Sequence, residues 1–246
     1  ITKRMQNEDL SIFDYVFCWL GNTNLILSII KLIEDKMNLE HDIQEAGVQM
    51  ILLVEDSIRF YSSILPNLYN YILEQSKNFS QEALNRHAAT MRMRGRPKVV
   101  LARTYEEAQK LYDKYSDNTL GVISDARFPL KSAAKAFGNE VMPEEKPKHR
   151  TDTFGREKCP DAGLQLFRYI RKNDPFVPLI IESSESENRA KAEAEGFRFV
   201  DKNSKKMSVD LRRLMEEHMG FGDFIFRDPK THEEIMRIHS LKELQD

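Results

Sequence analysis

The sequence predicts an α/β fold: a doubly wound, five-stranded parallel sheet with helices on both faces. Three observations predict it. Short apolar runs alternate five times with segments of helical periodicity. The run Val48–Val54 is apolar almost without interruption, as a strand buried on both faces requires. Four of the runs also end in residues of complementary chemistry, where open α/β sheets place their sites. Val48–Val54 leads into Glu55-Asp56, Leu120–Ser124 into Asp125, Pro178–Glu182 into Ser183-Ser184, and Phe197–Asp201 into Lys202.

The elements follow in order. Phe13–Leu20 reads as a strand, and Leu25, Ile29, Leu32 and Met37 recur at near-helical spacing after it, with Asn22 or Thr23 as N-cap. Residues 1–46 thus form a strand-helix unit too small for a core of its own. It reads as the end of a preceding domain. The first sheet strand follows Gly47. A helix from Ser57 to about Glu74 carries Phe60, Ile64, Leu68 and Ile72, and Pro66 inside it removes a backbone donor and predicts a kink. Gln81–Arg94 reads as an inserted helix, capped by Ser80 and ended by Gly95 and Pro97.

Val99–Ala102 is the second strand. Thr104 and Glu107 form a capping box ahead of a helix striped by Ala108, Leu111, Tyr112 and Tyr115. Leu120–Ser124 is the third strand. Leu130–Pro160 then breaks the pattern, being polar, rich in Lys, Glu and Pro, and aperiodic. It reads as a solvated loop, with a lid over Asp125 as the alternative. Helix Gly163–Lys172, strand Val177–Glu182, helix Asn188–Glu195, strand Phe197–Asp201 and helix Val209–Met219 complete the domain, 47–219, with insertions at about 76–97 and 130–160. In 220–246, Phe224–Phe226 and Glu234–Ile238 flank Asp228-Pro229-Lys230-Thr231 and read as a hairpin leading to a downstream domain.

Composition excludes several function classes. At 41% hydrophobic and 31% charged residues the 246-residue chain is globular. A net charge of −2 gives no global field for nucleic acid or anionic membrane. Arg94-Gly95-Arg96-Pro97 has the core of a minor-groove hook, but it ends a predicted helix and enters a strand, so no nucleic-acid partner is expected. No apolar stretch approaches the ~20 residues of a membrane span. Cys18 and Cys159 have no metal spacing and form no disulfide framework. Free thiols without a signal peptide predict the cytoplasm. The start at Ile1 and the end at Gln245-Asp246 lead us to expect a fragment of a longer polypeptide.

The strand-end residues make a phosphoryl-accepting site. An anionic phosphoryl group can approach a carboxylate only if a cation stands between them. Glu55, Asp56 and Asp125 supply the hard oxygens that Mg2+ prefers, with the backbone carbonyl of Arg127 as a further ligand. Lys202 neutralises a phosphoryl oxygen, and Ser183 donates to another, with Ser184 as the alternative hydroxyl.

These residues resemble the receiver domain of two-component response regulators. Ile51-Leu52-Leu53-Val54-Glu55-Asp56-Ser57 is similar to its first strand and acid pair. Val122-Ile123-Ser124-Asp125, with Pro129 four residues on, is similar to the phosphoacceptor strand. Asp161-Ala162-Gly163-Leu164 resembles the start of the third helix. Pro178–Ser184 resembles the hydroxyl strand, and Phe199-Val200-Asp201-Lys202 the aromatic-and-Lys strand. The resemblance spans roughly Val48 to Met219. It implies a flavodoxin-like receiver fold and Mg2+ as cofactor. It implies Asp125 as phosphoacceptor, Ser183 and Phe199 as switch residues, and a histidine kinase or phosphotransfer protein as donor. It implies a regulatory module rather than an enzyme.

A second resemblance concerns the parent chain, which looks like the N-terminal regulatory part of bacterial proteins related to phosphoenolpyruvate synthase and pyruvate phosphate dikinase. Asp14–Gly21 would then be similar to the last strand of a preceding receiver-like domain. The chain departs from the receiver pattern in three places: Asn203 stands where the family has Pro after its Lys, Glu182 and Asp201 replace neutral residues, and the insert after Pro129 replaces a short loop. The alternative reading is therefore a degenerate receiver that dimerises or docks without being phosphorylated.

Overall fold

The protein is described by a computed structural model covering residues 14–81, 86, 90, 95–131, 151–152, 154–220, 223–228, 230–231, 233–238 and 243–244. Five parallel strands form the sheet: β1 (Met50–Val54), β2 (Lys98–Ala102), β3 (Thr119–Asp125), β6 (Leu179–Ser183) and β7 (Arg198–Asp201). Their spatial order is β2-β1-β3-β6-β7. That is the flavodoxin-like order, with its switch point between β1 and β3. The predicted fold class is thus the observed one. Two short strands between β3 and β6, β4 (Phe128–Pro129) and β5 (Lys158–Cys159), pair antiparallel outside the sheet.

Successive residues of each strand point to opposite faces, and the core divides accordingly. Ile51, Leu53, Val99, Leu101, Ile123, Ile180 and Val200 face one layer, with α2 (Ile58–Gln81) and α6 (Met207–Leu214). Leu52, Val54, Val100, Val122, Leu179 and Ile181 face the other, with α3 (Tyr105–Tyr115), α4 (Ala162–Asn173) and α5 (Glu187–Ala194). β1 and β6 are buried end to end, and β3 is buried at all but its two terminal residues, which explains their near-continuous hydrophobicity.

The N-terminal helix α1 (Asn24–Ala46) packs on α2 and on the outer edge of β2. Its Asp35 is fully buried and accepts the backbone N–H of Val99 at 2.9 Å, so a side chain satisfies a donor on the sheet edge. The same carboxylate accepts from Tyr69 Oη at 2.9 Å and from both terminal nitrogens of Arg96 at 3.0 and 2.6 Å. Lys98 Nζ lies 3.9 Å from it and 2.6 Å from Asp42. Arg96, in the hook-like Arg-Gly-Arg-Pro run, is therefore committed to the interior.

Several expectations are corrected. Residues 15–20 form no strand; they run extended over α2, where Cys18 N–H donates to Ser62 Oγ at 3.0 Å and Tyr61 Oη to the Val16 carbonyl. The first half of this run packs there rather than pairing as a strand, with Phe17 edge-on to Tyr61 at 5.6 Å, while Trp19 and Leu20 stay exposed. Helix α2 does not end near Glu74 but continues to Gln81. Ser80 is not an N-cap: it sits within α2 and its hydroxyl donates to the Lys77 carbonyl, satisfying itself inside the helix. Most of the predicted helix Gln81–Arg94 lies outside the described residues, as do 132–150 of the predicted loop Leu130–Pro160. The predicted last helix changes register at Leu214, where a π segment, Met215–Met219, takes over. The tail forms the predicted hairpin, β8 (Phe224–Arg227) with β9 (Glu234–Ile238). No helix among the described residues is long and apolar enough to cross a membrane.

Candidate functional site

The parallel strands end together, so the polar residues that follow them converge. Glu55, Asp125, Glu182 and Lys202 continue the parity of Leu53, Ile123, Ile180 and Val200, and so emerge on one face. Oxygens of Glu55, Asp56 and Asp125 lie within 4.8 Å of one another. Glu55 and Asp56 are fully buried. The Asp125 side chain keeps 14% of its surface, so a reactant can reach it.

Lys202 organises the group. Its ammonium, 1% exposed, lies 3.0 Å from Asp125 Oδ1 and donates a short hydrogen bond to Glu55. The Phe60 ring covers it, with Nζ 4.6 Å from the centroid. Burial opposes the lysine's charge, but Asp125, Glu55 and Glu182 together hold its pKa above the ordinary range. The carboxylates move the other way. Burial raises Glu55 well above its usual value, against the pull of Lys202, and Asp125, Asp56 and Glu182 add to the rise. Burial likewise pushes Asp56 up to about 6, opposed by Lys158.

Around this centre, Ser183 Oγ accepts from Glu185 N–H at 3.1 Å and from Asn188 Nδ2 at 2.9 Å. Both lone pairs of the hydroxyl are engaged, so its own proton is directed elsewhere, and Ser183 lines the cleft above Asp125. The cleft measures about 170 Å³ and is also lined by Lys202, Lys158, Arg127 and Ser184. The Arg127 guanidinium pairs with Glu185 at 2.9 Å across the rim. Gly163 lets α4 start directly against the site: its N–H donates to the Ala126 carbonyl at 3.1 Å. A β-carbon there would fall 2.3 Å from the Asp125 carbonyl oxygen.

The structure thus brings Asp125, Glu55, Asp56, Lys202, Ser183 and Arg127 together. Phe199 stands apart, half-buried on the α5 face with the Arg189 guanidinium 4.7 Å from its ring centroid. Of the two unexpected acids, only Glu182 enters the site. It is fully buried, in register with Asp125, and burial pushes it up to about 7. Neither of its oxygens has a hydrogen-bond partner among the described residues. Asp201 instead caps the following turn, accepting Asn203 N–H at 2.8 Å, and Asn203 Nδ2 donates to the Ser184 carbonyl.

Sequence reasoning missed two residues. Asn188 holds the Ser183 hydroxyl from the first turn of α5. Lys158, carried by β5 inside the supposed loop, places Nζ 2.5 Å from Asp56 Oδ2. Neither had a local signal: one is an Asn near a helix start, the other a lysine in a segment rich in them.

The donor set fits a hard divalent cation. All three side chains offer carboxylate oxygens, and Asp56 Oδ1 is buried with no hydrogen bond among the described residues. In ionised form, the four acids Glu55, Asp56, Asp125 and Glu182 exceed the two lysines Lys202 and Lys158 by two negative charges.

No protein-family model matches the chain, and no curated protein matches it. Among solved structures it is similar to a response regulator receiver domain protein from Clostridium thermocellum, with 18% identity over 70% of this chain and 95% of that one, at a TM-score of 0.39. It is also similar to the non-phosphorylated HemR receiver domain from Leptospira biflexa, with 20% identity over 68% of this chain and 94% of that one, at a TM-score of 0.37. The fold assignment rests on the chain's own strand order.

Proposed function

We propose that this chain is a phosphoryl-accepting receiver module in which Asp125 is the acceptor. The observation that carries the reading is the contact of buried Lys202 with Asp125 at 3.0 Å, beside the acid pair Glu55-Asp56. A carboxylate so placed is exposed enough to react and is flanked by a fixed counter-charge. The Asp125 carboxylate oxygen attacks phosphorus, and the P–N bond of a partner's phosphohistidine breaks. The electron pair leaves on the imidazole nitrogen, which takes a proton. Lys202 holds a phosphoryl oxygen while the phosphoryl group passes to Asp125, whose own carboxylate charge is used up in the new O–P bond. The Ser183 proton, freed by Glu185 N–H and Asn188, is available to another. Glu55, Asp56, Asp125 and the Arg127 carbonyl would hold Mg2+, which supplies the positive charge that lets two anions meet.

In this reading Ser183 and Phe199 relay the state of Asp125, the donor is a histidine kinase or phosphotransfer protein, and the module is cytoplasmic. Residues 47–219 form the receiver, α1 of the segment 1–46 is packed into its core rather than belonging to a preceding domain, and 220–246 leads on to a neighbouring part of a chain related to phosphoenolpyruvate synthase and pyruvate phosphate dikinase. Reading the gene beyond Asp246 tests that last point. Acetyl phosphate with Mg2+ tests the first: the intact mass rises by one phosphoryl group in wild type and not in Asp125→Asn. A wild type that gains no mass and does not respond to beryllofluoride overturns it.

A second reading is favoured by Glu182 and Lys158, which crowd the site with charges of both signs: a degenerate receiver that dimerises or docks without phosphorylation. Unchanged self-association in Asp56→Ala/Asp125→Ala, together with no Mg2+ affinity in wild type, would select it.

A further inference from the structure

Lys158 reaches the acid pair from outside the sheet. It belongs to β5, whose partner β4 directly continues the loop after Asp125: Phe128 pairs with Cys159 and Pro129 with Lys158. Phe128 is fully buried, so this short ladder is fixed to the core. The other end is fixed too. Asp152 Oδ1 accepts the N–H groups of Phe154 and Arg156 at 2.9 and 2.7 Å, and Oδ2 accepts Arg156 Nε at 2.6 Å. Gly155, at φ +75°, turns the chain between them. Thr151 bridges Glu157, and the Arg103 guanidinium lies 5.3 Å from the Phe154 ring centroid. Lys158 is therefore presented by a built hairpin. Its side chain, 16% exposed, has Nζ 2.5 Å from Asp56 Oδ2 and lines the same cleft as Lys202.

We infer that Lys158 is a tethered cation of the acidic site, standing against Asp56 when no divalent ion is bound and opposing the entry of one. The inference rests on the metal-binding reading above. The reasoning is electrostatic. A buried carboxylate without a counter-charge is costly, so Asp56 needs a cation even when the site holds no metal. Lys158 supplies it from the protein's own chain. A unit positive charge a few ångströms from a divalent ion repels it, and low exposure keeps salt from screening that repulsion. Lys202 does not substitute, because its ammonium is engaged by Glu55 and Asp125. The insert after Pro129 thus sets the divalent concentration at which the module becomes competent.

The test is Mn2+ binding by the 246-residue chain, followed by electron paramagnetic resonance of free Mn2+. It compares wild type, Lys158→Met and Lys158→Gln, with thermal melts in EDTA and in Mn2+. Both variants are expected to bind Mn2+ roughly tenfold tighter or more. Their melting temperatures are expected to fall in EDTA and to rise more than wild type on adding Mn2+. Equal or weaker binding in variants that melt cooperatively overturns the inference and leaves the acid triad standing as a metal site. Absence of Mn2+ binding in all three proteins overturns the inference and the metal-binding reading together. Should one variant fail to fold, the other carries the comparison.

Discussion

Replacing Glu182 by Gln removes one ionisable proton from the site with little change in shape. In the folded protein Glu182 is fully buried and burial raises its pKa from 4.5 to about 7. The folded state therefore binds this proton more tightly than the unfolded chain does. Below pH 4.5 the group is neutral in both states and costs nothing. As pH rises towards 7 the unfolded chain ionises first, and stability falls until the folded carboxyl ionises as well. The gap between 4.5 and about 7, at 1.36 kcal/mol per pH unit, comes to roughly 3 kcal/mol. For a domain of this size that is about 6–12 °C in melting temperature. Urea unfolding of wild type and Glu182→Gln in EDTA, from pH 4.5 to 8.5, measures it. The wild type is expected to lose roughly 3 kcal/mol relative to the variant across that range. Asp56, also raised, titrates in both proteins and drops out of the difference. Parallel stability curves would refute the reasoning, since they would mean that Glu182 is solvated or paired in solution.

Three other outcomes follow from the geometry. Asp35→Ala strands Arg96 and the Val99 N–H in the interior and is expected to cost about 3–5 kcal/mol by chemical denaturation, or to prevent folding. Gly163→Ala drives a β-carbon into the Asp125 carbonyl, so α4 must shift; we expect a loss of about 1–3 kcal/mol and weaker Mn2+ binding, because the backbone of the acceptor moves with it. Lys202→Met leaves the buried Glu55 without its cation, so the apo protein loses stability as pH rises above the acid range. Acid titration of its melting temperature shows the stability returning on protonation.

The sheet and the residues gathered at its carboxyl edge are readable along the chain. Val48–Val54, Leu120–Ser124 and Pro178–Glu182 are legible as buried strands because burial on both faces demands unbroken hydrophobicity, a local property. Glu55, Asp56, Asp125, Ser183 and Lys202 are legible because parallel strands of one sheet end on one side. Order along the chain therefore becomes proximity in space. What depends on packing between distant segments emerges only in the folded molecule. Asp35 and Arg96 stand 61 residues apart, and nothing near either one predicts their pairing. Phe13–Leu20 is apolar enough for a strand, yet Tyr15–Cys18 pack against α2 instead, a contact that no local pattern announces. Glu182 and Asp201 look alike in sequence. The alternating parity of β6 and β7 sends Glu182 into the site and leaves Asp201 to cap a turn. Lys158 lay hidden in a polar insert, since an ion pair across a fold leaves no periodic trace in the chain that makes it.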